Sequence, residues 1–134
     1  MSDCWDNVCS EGEYIKLHYC SASSVDQTFV GMDGTIRPTS DTRLCFTIMG
    51  YGPATDTDGR PIDTPIQLQQ CIPGSIEQQF VRRPGPGIGG YEFSPVGNLN
   101  RCLANLHHPK VGERIFPRLC SKAQTDTTGA WVTI

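Results

Sequence analysis

The sequence predicts an all-β domain built from three copies of one unit, and two regularities carry this prediction. The aromatic residues Phe29, Phe80 and Trp131 lie 51 and 51 residues apart in a chain of 134. Each follows a cysteine by nine, nine and eleven residues, and another cysteine stands upstream of each pair. Self-similarity at a fixed period is typical of units that stack or close into a ring and share one core. We therefore expect one domain over residues 1–134, with repeats at about 1–34, 35–90 and 91–134.

The strands are predicted from the alternation of apolar and polar residues. Residues 14–20 and 65–71 alternate at period two, as half-buried strands do. Residues 114–120 are their third copy and are less regular, because Pro117 favours an edge or a bulge. Residues 32–35, MDGT, are a hairpin signal. No segment shows a sustained period of 3.6 residues, so we expect about four short strands in each repeat.

Composition fits a thin core with many turns. Hydrophobic residues make up 37% of the chain, and Gly (14) and Pro (10) together contribute 24 residues. The net charge is −3, and no run of Lys or Arg exceeds the pair Arg82-Arg83, so no surface is prepared to neutralise phosphates. No apolar stretch approaches the ~20 residues that span a bilayer. We therefore expect no nucleic-acid partner and no membrane span.

Seven cysteines suggest disulfide bonds and an oxidising compartment. Six cysteines allow many connectivities, and the repeat favours the set with one bridge at the equivalent place in each copy. That set is Cys4–Cys20, Cys45–Cys71 and Cys102–Cys120. Each bridge would contribute about 3 kcal/mol in the chain-entropy model. We therefore predict a secreted or extracellular protein. The N-terminus shows no signal peptide, which leaves two alternatives, an export signal already removed or a protein that stays inside the cell.

The remaining cysteine, Cys9, is either a passive thiol or the site of an intermolecular disulfide. Zinc is a rival use, with Cys4, Cys9, His18 and Cys20 as ligands, but their spacing matches no paired C-x2-C pattern. Residues 56–59, DTDG, resemble the start of a calcium loop but lack the bidentate acid at its end. No nucleophile elbow, phosphate loop or paired-acid motif is present. We expect no metal and no cofactor, and a binding module rather than an enzyme.

Two of the repeat aromatics belong to a recognisable motif. Gln27-Thr28-Phe29 and Gln78-Gln79-Phe80 resemble the Gln-x-Trp motif of ricin B-type lectin domains, with Phe in place of Trp. Gly129-Ala130-Trp131 keeps the aromatic residue and loses the glutamine. Residues 66–71, IQLQQC, resemble the Ile-Gln-Leu-Trp-x-Cys strand of the same family. The resemblance covers nearly the whole chain. It implies a β-trefoil, in which three four-stranded units surround a pseudo-threefold axis and the repeat aromatics fill the core.

The resemblance also implies that the first repeat is incomplete. In the family each repeat opens with a strand upstream of its first cysteine, as Thr35–Pro38 precedes Cys45 and residues 91–95 precede Cys102. Only three residues precede Cys4. A barrel that lacks a strand exposes backbone edges, which pair readily with another chain. We therefore expect a protein partner or a second subunit to complete the first repeat, or else a frayed N-terminus.

Members of this family bind galactose-like sugars in shallow pockets, at most one in each repeat. A carboxylate accepts hydrogen bonds from adjacent hydroxyls, an aromatic ring stacks on the apolar face of the sugar, and an amide completes the orientation. In the first repeat the resemblance places the acid at Asp6, the ring at His18 and the amide at Asp26, beside Gln27. His stacks more weakly than Trp, and Asp26 adds charge without a donor.

The other two repeats have lost this chemistry. The acid, ring and motif positions hold Thr47, Gln69 and Glu77-Gln78 in the second repeat, and Ala104, Arg118 and Gly129 in the third. The resemblance therefore implies a lectin-like module that binds glycans or glycoproteins through one pocket. Two alternatives stay open. One is a structural or protein-interaction subunit that has lost sugar binding, and the other is a protease inhibitor that presents residues 52–65 or 84–90.

Overall fold

A computed structural model describes residues 3–6, 10–19, 27–50, 65–84, 91–104 and 114–120. These residues form ten short strands that pair two by two into five antiparallel ladders, with a 3-10 turn at Ile76–Gln78. The strands are β1 (Asp3–Asp6), β2 (Lys16–Tyr19), β3 (Phe29–Met32), β4 (Thr35–Pro38), β5 (Leu44–Thr47), β6 (Gln67–Gln70), β7 (Phe80–Pro84), β8 (Tyr91–Pro95), β9 (Arg101–Ala104) and β10 (Phe116–Leu119). The described chain is therefore mostly strands and turns, as expected of an all-β protein.

The five ladders fall into two sets that follow the sequence repeat. In the first set, β1–β2, β5–β6 and β9–β10, each ladder pairs the strand that carries a first cysteine with the strand that leads to a second. In the second set, β3–β4 and β7–β8, each ladder begins at a repeat phenylalanine. The predicted strands at 14–20, 65–71 and 114–120 are confirmed by β2, β6 and β10.

The predicted hairpin at residues 32–35 is also confirmed. Asp33 and Gly34 connect β3 to β4 with φ values of 54° and 81°. Positive φ at both central residues is the signature of a type I′ turn, whose twist matches that of the flanking strands. An aspartate followed by a glycine suits these two positions, because Asp tolerates the left-handed region and Gly occupies it freely.

Three backbone hydrogen bonds join the copies in a ring. The N–H of Ile15 donates to the carbonyl of Ile66 (3.3 Å), that of Ile66 to Ile115 (2.9 Å), and that of Ile115 back to Ile15 (3.0 Å). All three residues are fully buried, and they lie 51 and 49 residues apart. Each copy thus donates to the next and accepts from the previous one. This cyclic relation agrees with the three copies in the sequence.

Buried apolar side chains from all three copies form one cluster. The repeat residues Phe29 and Phe80 are 2% and 7% exposed, so their predicted place in the core is confirmed. Phe29 meets Phe46 edge to face with ring centroids 5.2 Å apart, a favoured aromatic geometry. Trp131 lies outside the described residues. The cluster comprises Ile15, Phe29, Ile36, Leu44, Phe46, Ile48, Ile66, Leu68, Phe80, Phe93, Leu103 and Ile115.

Two of the three predicted disulfides are present. Cys45–Cys71 has its Cα atoms 5.1 Å apart and Cys102–Cys120 has them 4.9 Å apart. In both, the first cysteine stands across its ladder from the residue two positions before the second, Gln69 or Arg118. Cys4 stands in the same register opposite His18. Cys9 and Cys20 lie outside the described residues, so the Cys4–Cys20 bridge stays a prediction.

Other expectations concern segments that the structure does not describe. The opening strands of the second and third repeats are present as β4 and β8. The counterpart of these strands in the first repeat would lie ahead of β1, where residues 1–2 are outside the described part of the chain. The calcium-like residues 56–59 and most of the two candidate inhibitor loops are outside it as well.

Candidate functional site

Two residues predicted for the sugar pocket lie on one face of the β1–β2 ladder. Asp6 stands opposite Lys16, and Cys4 stands opposite His18. Cross-strand partners share a face, and so do alternate residues of one strand. Asp6 and His18 therefore occupy diagonal positions on the same face, a separation of about 7–8 Å. The third predicted residue, Asp26, lies outside the described residues.

The same diagonal recurs in the other two copies. Thr47 and Gln69 occupy it in β5–β6, and Ala104 and Arg118 occupy it in β9–β10. The positions that the family resemblance equates are thus equivalent in strand register. Asp6 is the carboxylate residue among the three acid positions, so the first copy alone places an acid there.

Gln78, the glutamine of the second Gln-x-Phe motif, has a structural part that the sequence did not reveal. Its side chain is 1% exposed. Its Oε1 accepts from the N–H of Ile72 (2.8 Å), and its Nε2 donates to the carbonyl of Gln70 (2.9 Å) and to Thr47 Oγ1 (3.0 Å). The amide thus holds the acid position against the chain that follows β6. Gln27, 51 residues earlier and 6% exposed, is its equivalent in the first copy.

Polar side chains at the second pocket are engaged within the protein. Thr47 Oγ1 donates to the carbonyl of Cys45 at 3.0 Å, besides accepting from the motif glutamine. Gln69 Nε2 donates to Gln67 Oε1 at 2.9 Å, and Glu77 Oε2 accepts from a serine hydroxyl at 3.0 Å. With neither a carboxylate at the acid position nor a ring beside it, this copy offers a sugar little beyond surface hydroxyl and amide groups.

Two cationic side chains extend the polar face of the first copy. Lys16 and Arg114 are both exposed, and a backbone bridge pairs them on the edge of β2 that faces away from β1. The guanidinium of Arg114 lies over the ring of Tyr14, 4.0 Å from its centroid. Such a cation–π contact restrains the arginine without using its N–H donors. Asp6, Lys16 and Arg114 therefore form a row across three neighbouring backbone segments.

A separate cavity of about 580 Å³ lies between the first and second copies. Its lining includes Arg37 and the bidentate pair Arg43–Asp41, in which both N···O distances are 3.0 Å. Hydrogen bonds from the side chain and the backbone N–H of Arg43 lower the pKa of Asp41 below its usual value. Arg37 donates to Thr42 O at 2.9 Å. Gln27, the predicted sugar-binding residue whose side chain the structure describes, does not line this cavity.

Two findings concern metal binding and membrane insertion in the part of the chain that the structure describes. It contains no group of three His, Cys, Asp or Glu side chains able to hold a metal ion. It also contains no helix long and apolar enough to cross a membrane. Comparison with protein-family models and with curated proteins finds no match to this chain. The functional argument therefore rests on the geometry of the copies and on the residues that they carry.

Proposed function

We propose that this chain is a lectin-like module of the ricin B type, a β-trefoil that binds galactose-type glycans or glycoproteins through a pocket in its first repeat. The observation that carries the proposal is the register of β1 and β2, which sets Asp6 and His18 on one diagonal. The ring of hydrogen bonds among Ile15, Ile66 and Ile115 supports the trefoil, because that fold requires a threefold axis through three equivalent units.

In the proposed pocket Asp6 accepts hydrogen bonds from two adjacent sugar hydroxyls. An ionised carboxylate is the strongest acceptor among the side chains, and it has room for both. His18 supplies a flat ring for the apolar face of the sugar, and the diagonal of about 7–8 Å leaves room for one pyranose between the two. The family resemblance assigns Asp26, next along the chain to Gln27, to the amide position.

Gln27 supports the pocket from within. In the second copy the equivalent Gln78 donates to Thr47, the residue at the acid position. The same donation in the first copy would meet the carboxylate of Asp6 and hold it in one orientation. A charge-assisted bond of this kind is roughly twice as strong as a neutral one. Burial of Gln27 fits this supporting part better than direct contact with a sugar.

One such pocket binds weakly. A shallow site with one acid and one imidazole is expected to reach a millimolar Kd, or about 4 kcal/mol. Useful avidity then comes from several domains presented together. The two disulfides of the described chain fit an oxidising, extracellular setting, where glycoproteins are displayed.

Calorimetric titration with lactose tests the proposal. The wild-type chain is expected to bind, and Asp6→Asn is expected to weaken binding by about tenfold or more, because the variant loses the charged acceptor. Glu77→Gln is the matched control, since it neutralises an exposed acid next to the motif of the second copy. Equal binding by Asp6→Asn and wild type, or no binding by folded wild type, contradicts the proposal.

A protein-interaction subunit is the second candidate, and an exposed apolar loop favours it. Ile72 and Ile76 are 62% and 51% exposed on either side of Pro73-Gly74. Large apolar side chains grouped on a surface mark contact sites for other proteins. Recovery of a stoichiometric partner that is lost in Ile72→Ser/Ile76→Ser, together with a blank lactose titration, would favour this function. Lactose binding without such a partner would reject it.

A further inference from the structure

We infer that the pocket of the first repeat selects glycans in which a galactose-type unit carries an anionic group, either a sugar carboxylate or a sulfate ester. The inference rests on the proposed function and adds to it a cationic subsite formed by Lys16 and Arg114. It is drawn from the position of these two residues, their exposure and the stacking of the arginine.

Lys16 and Arg114 lie on the same face as the positions of Asp6 and His18. Tyr14, Lys16 and His18 alternate along one segment and so share a face, while Ile15 between them is fully buried on the other side. Lys16 is the cross-strand partner of Asp6 on one edge and of Arg114 on the other. The carboxylate position, the ring position and both cations therefore lie on one continuous face.

Both cationic side chains are accessible to a ligand. Lys16 and Arg114 are exposed, so a ligand in solution has access to both. The guanidinium carbon of Arg114 lies over the ring of Tyr14, 4.0 Å from its centroid. Its N–H groups lie in the plane of the guanidinium, so stacking leaves them free to form the two-pronged contact that a carboxylate or sulfate accepts. The Tyr14 stack also reduces the entropy that the arginine would lose on binding.

The equivalent positions in the other copies carry no pair of cations. The residues equivalent to Lys16 are Gln67 and Phe116, and those equivalent to Arg114 are Tyr14 and Pro65. The cation pair therefore occurs at one of the three junctions between copies, the junction that adjoins the acid position of the first copy. A neutral sugar uses the acid and gains little from the cations. A sugar with an appended anion uses all of them.

Competition titrations with three soluble probes test the inference: lactose, 3′-sialyllactose and 3′-sulfolactose. Wild type is expected to bind at least one anionic probe about tenfold more tightly than lactose, as one charge-assisted contact of about 1.4 kcal/mol would give. The preference should shrink as salt is added, because exposed charges are screened. Lys16→Gln and Arg114→Gln should each bring the ratio of affinities close to one. Arg43→Gln, at an 87% exposed arginine of the separate cavity, should leave the ratio unchanged.

The outcomes separate the two proposals. A preference for sialyllactose alone identifies a carboxylate as the anion, and a preference for sulfolactose alone identifies a sulfate ester. Equal affinity for all three probes, with lactose binding lost in Asp6→Asn, overturns the cationic subsite and keeps the lectin. A preference that survives in both Lys16→Gln and Arg114→Gln also overturns the subsite. Binding of none of the probes by folded protein overturns both proposals.

Discussion

Replacing Gln78 with alanine tests whether the hydrogen bonds of the motif glutamine stabilise the fold, a role that we call a structural bracket. The amide makes three hydrogen bonds, to Ile72 N–H, Gln70 C=O and Thr47 Oγ1, and the side chain is 1% exposed. An intramolecular hydrogen bond contributes about 1 kcal/mol net, which gives about 3 kcal/mol for the three. Because Ile72 and Gln70 are exposed residues, water replaces part of the lost bonding. We therefore expect Gln78→Ala to lower the free energy of unfolding by about 2–3 kcal/mol.

Gln69→Ala is the matched control for this prediction. Gln69 is a partly buried glutamine of β6 with a hydrogen bond to Gln67 on its own strand, so its loss should cost about 0.5 kcal/mol. Urea denaturation with the disulfides intact, followed by far-ultraviolet circular dichroism, measures both variants against wild type. Slopes should stay equal, since the surface exposed on unfolding is unchanged. A cost for Gln78→Ala no larger than that of Gln69→Ala would refute the bracket.

Three further predictions concern a turn, a disulfide and an ion pair. Gly34 and Gly74 have φ values of 81° and 80°, so alanine at either should cost about 1 kcal/mol in urea denaturation. Gly34→Ala should cost more, because its Cβ meets the side chain of Gln79 while nothing lies within 4 Å of the Cβ at 74, and equal costs would count against this packing. Removing the Cys45–Cys71 bridge with paired serines should lower the unfolding free energy by about 3 kcal/mol, and a loss below ~1 kcal/mol would contradict the chain-entropy argument. The folded pKa of Asp41 lies below its usual 3.8, so its stabilisation is present above that pH and is lost as pH falls through the folded pKa. The melting-temperature gap between wild type and Asp41→Asn should therefore close on acidification from about pH 5 to about pH 2, and a gap that persists would be inconsistent with the shift.

The repeat in the sequence was enough to predict the strands that lead to the second cysteines and two of the disulfides. Period-two alternation located β2 and β6, and the symmetry of the repeat paired Cys45 with Cys71. Alternation is a local signal and the repeat is a symmetric one, and both are visible in the sequence without knowledge of which residues are in contact. The diagonal of Asp6 and His18 follows the same register, because in both ladders the first cysteine stands opposite the residue two positions before the second cysteine in sequence.

The sequence could not show how the copies meet. Ile15, Ile66 and Ile115 follow the repeat period, but the period states equivalence and not contact, so their ring of hydrogen bonds had to come from the structure. Lys16 and Arg114 are 98 residues apart in sequence and become neighbours through that ring (114 − 16 = 98). Long-range pairing of this kind leaves no local pattern. The proposed cationic subsite therefore could not be predicted from the sequence, because it depends on the pairing of Lys16 with Arg114.

The role of the buried motif glutamine, Gln78, also could not be predicted from the sequence. Gln27 is the motif glutamine that the resemblance places at the sugar pocket, and Gln78 is its equivalent in the second copy. Its three partners come from β5, β6 and the segment after β6, which no spacing rule brings together. Burial and hydrogen bonding, rather than sequence, assign the motif glutamine to the support of the acid position.

Amide chemical-shift mapping with lactose on the isotope-labelled chain tests whether one of the three equivalent positions binds a sugar. We expect perturbed amides at residues 4–6, 16–18 and 26–27, and unchanged amides at the equivalent residues 45–47 and 102–104. Perturbations of similar size at all three sets, or shifts confined to residues 45–47, would contradict it. Unchanged spectra at saturating lactose would mean that the threefold scaffold serves something other than sugar binding.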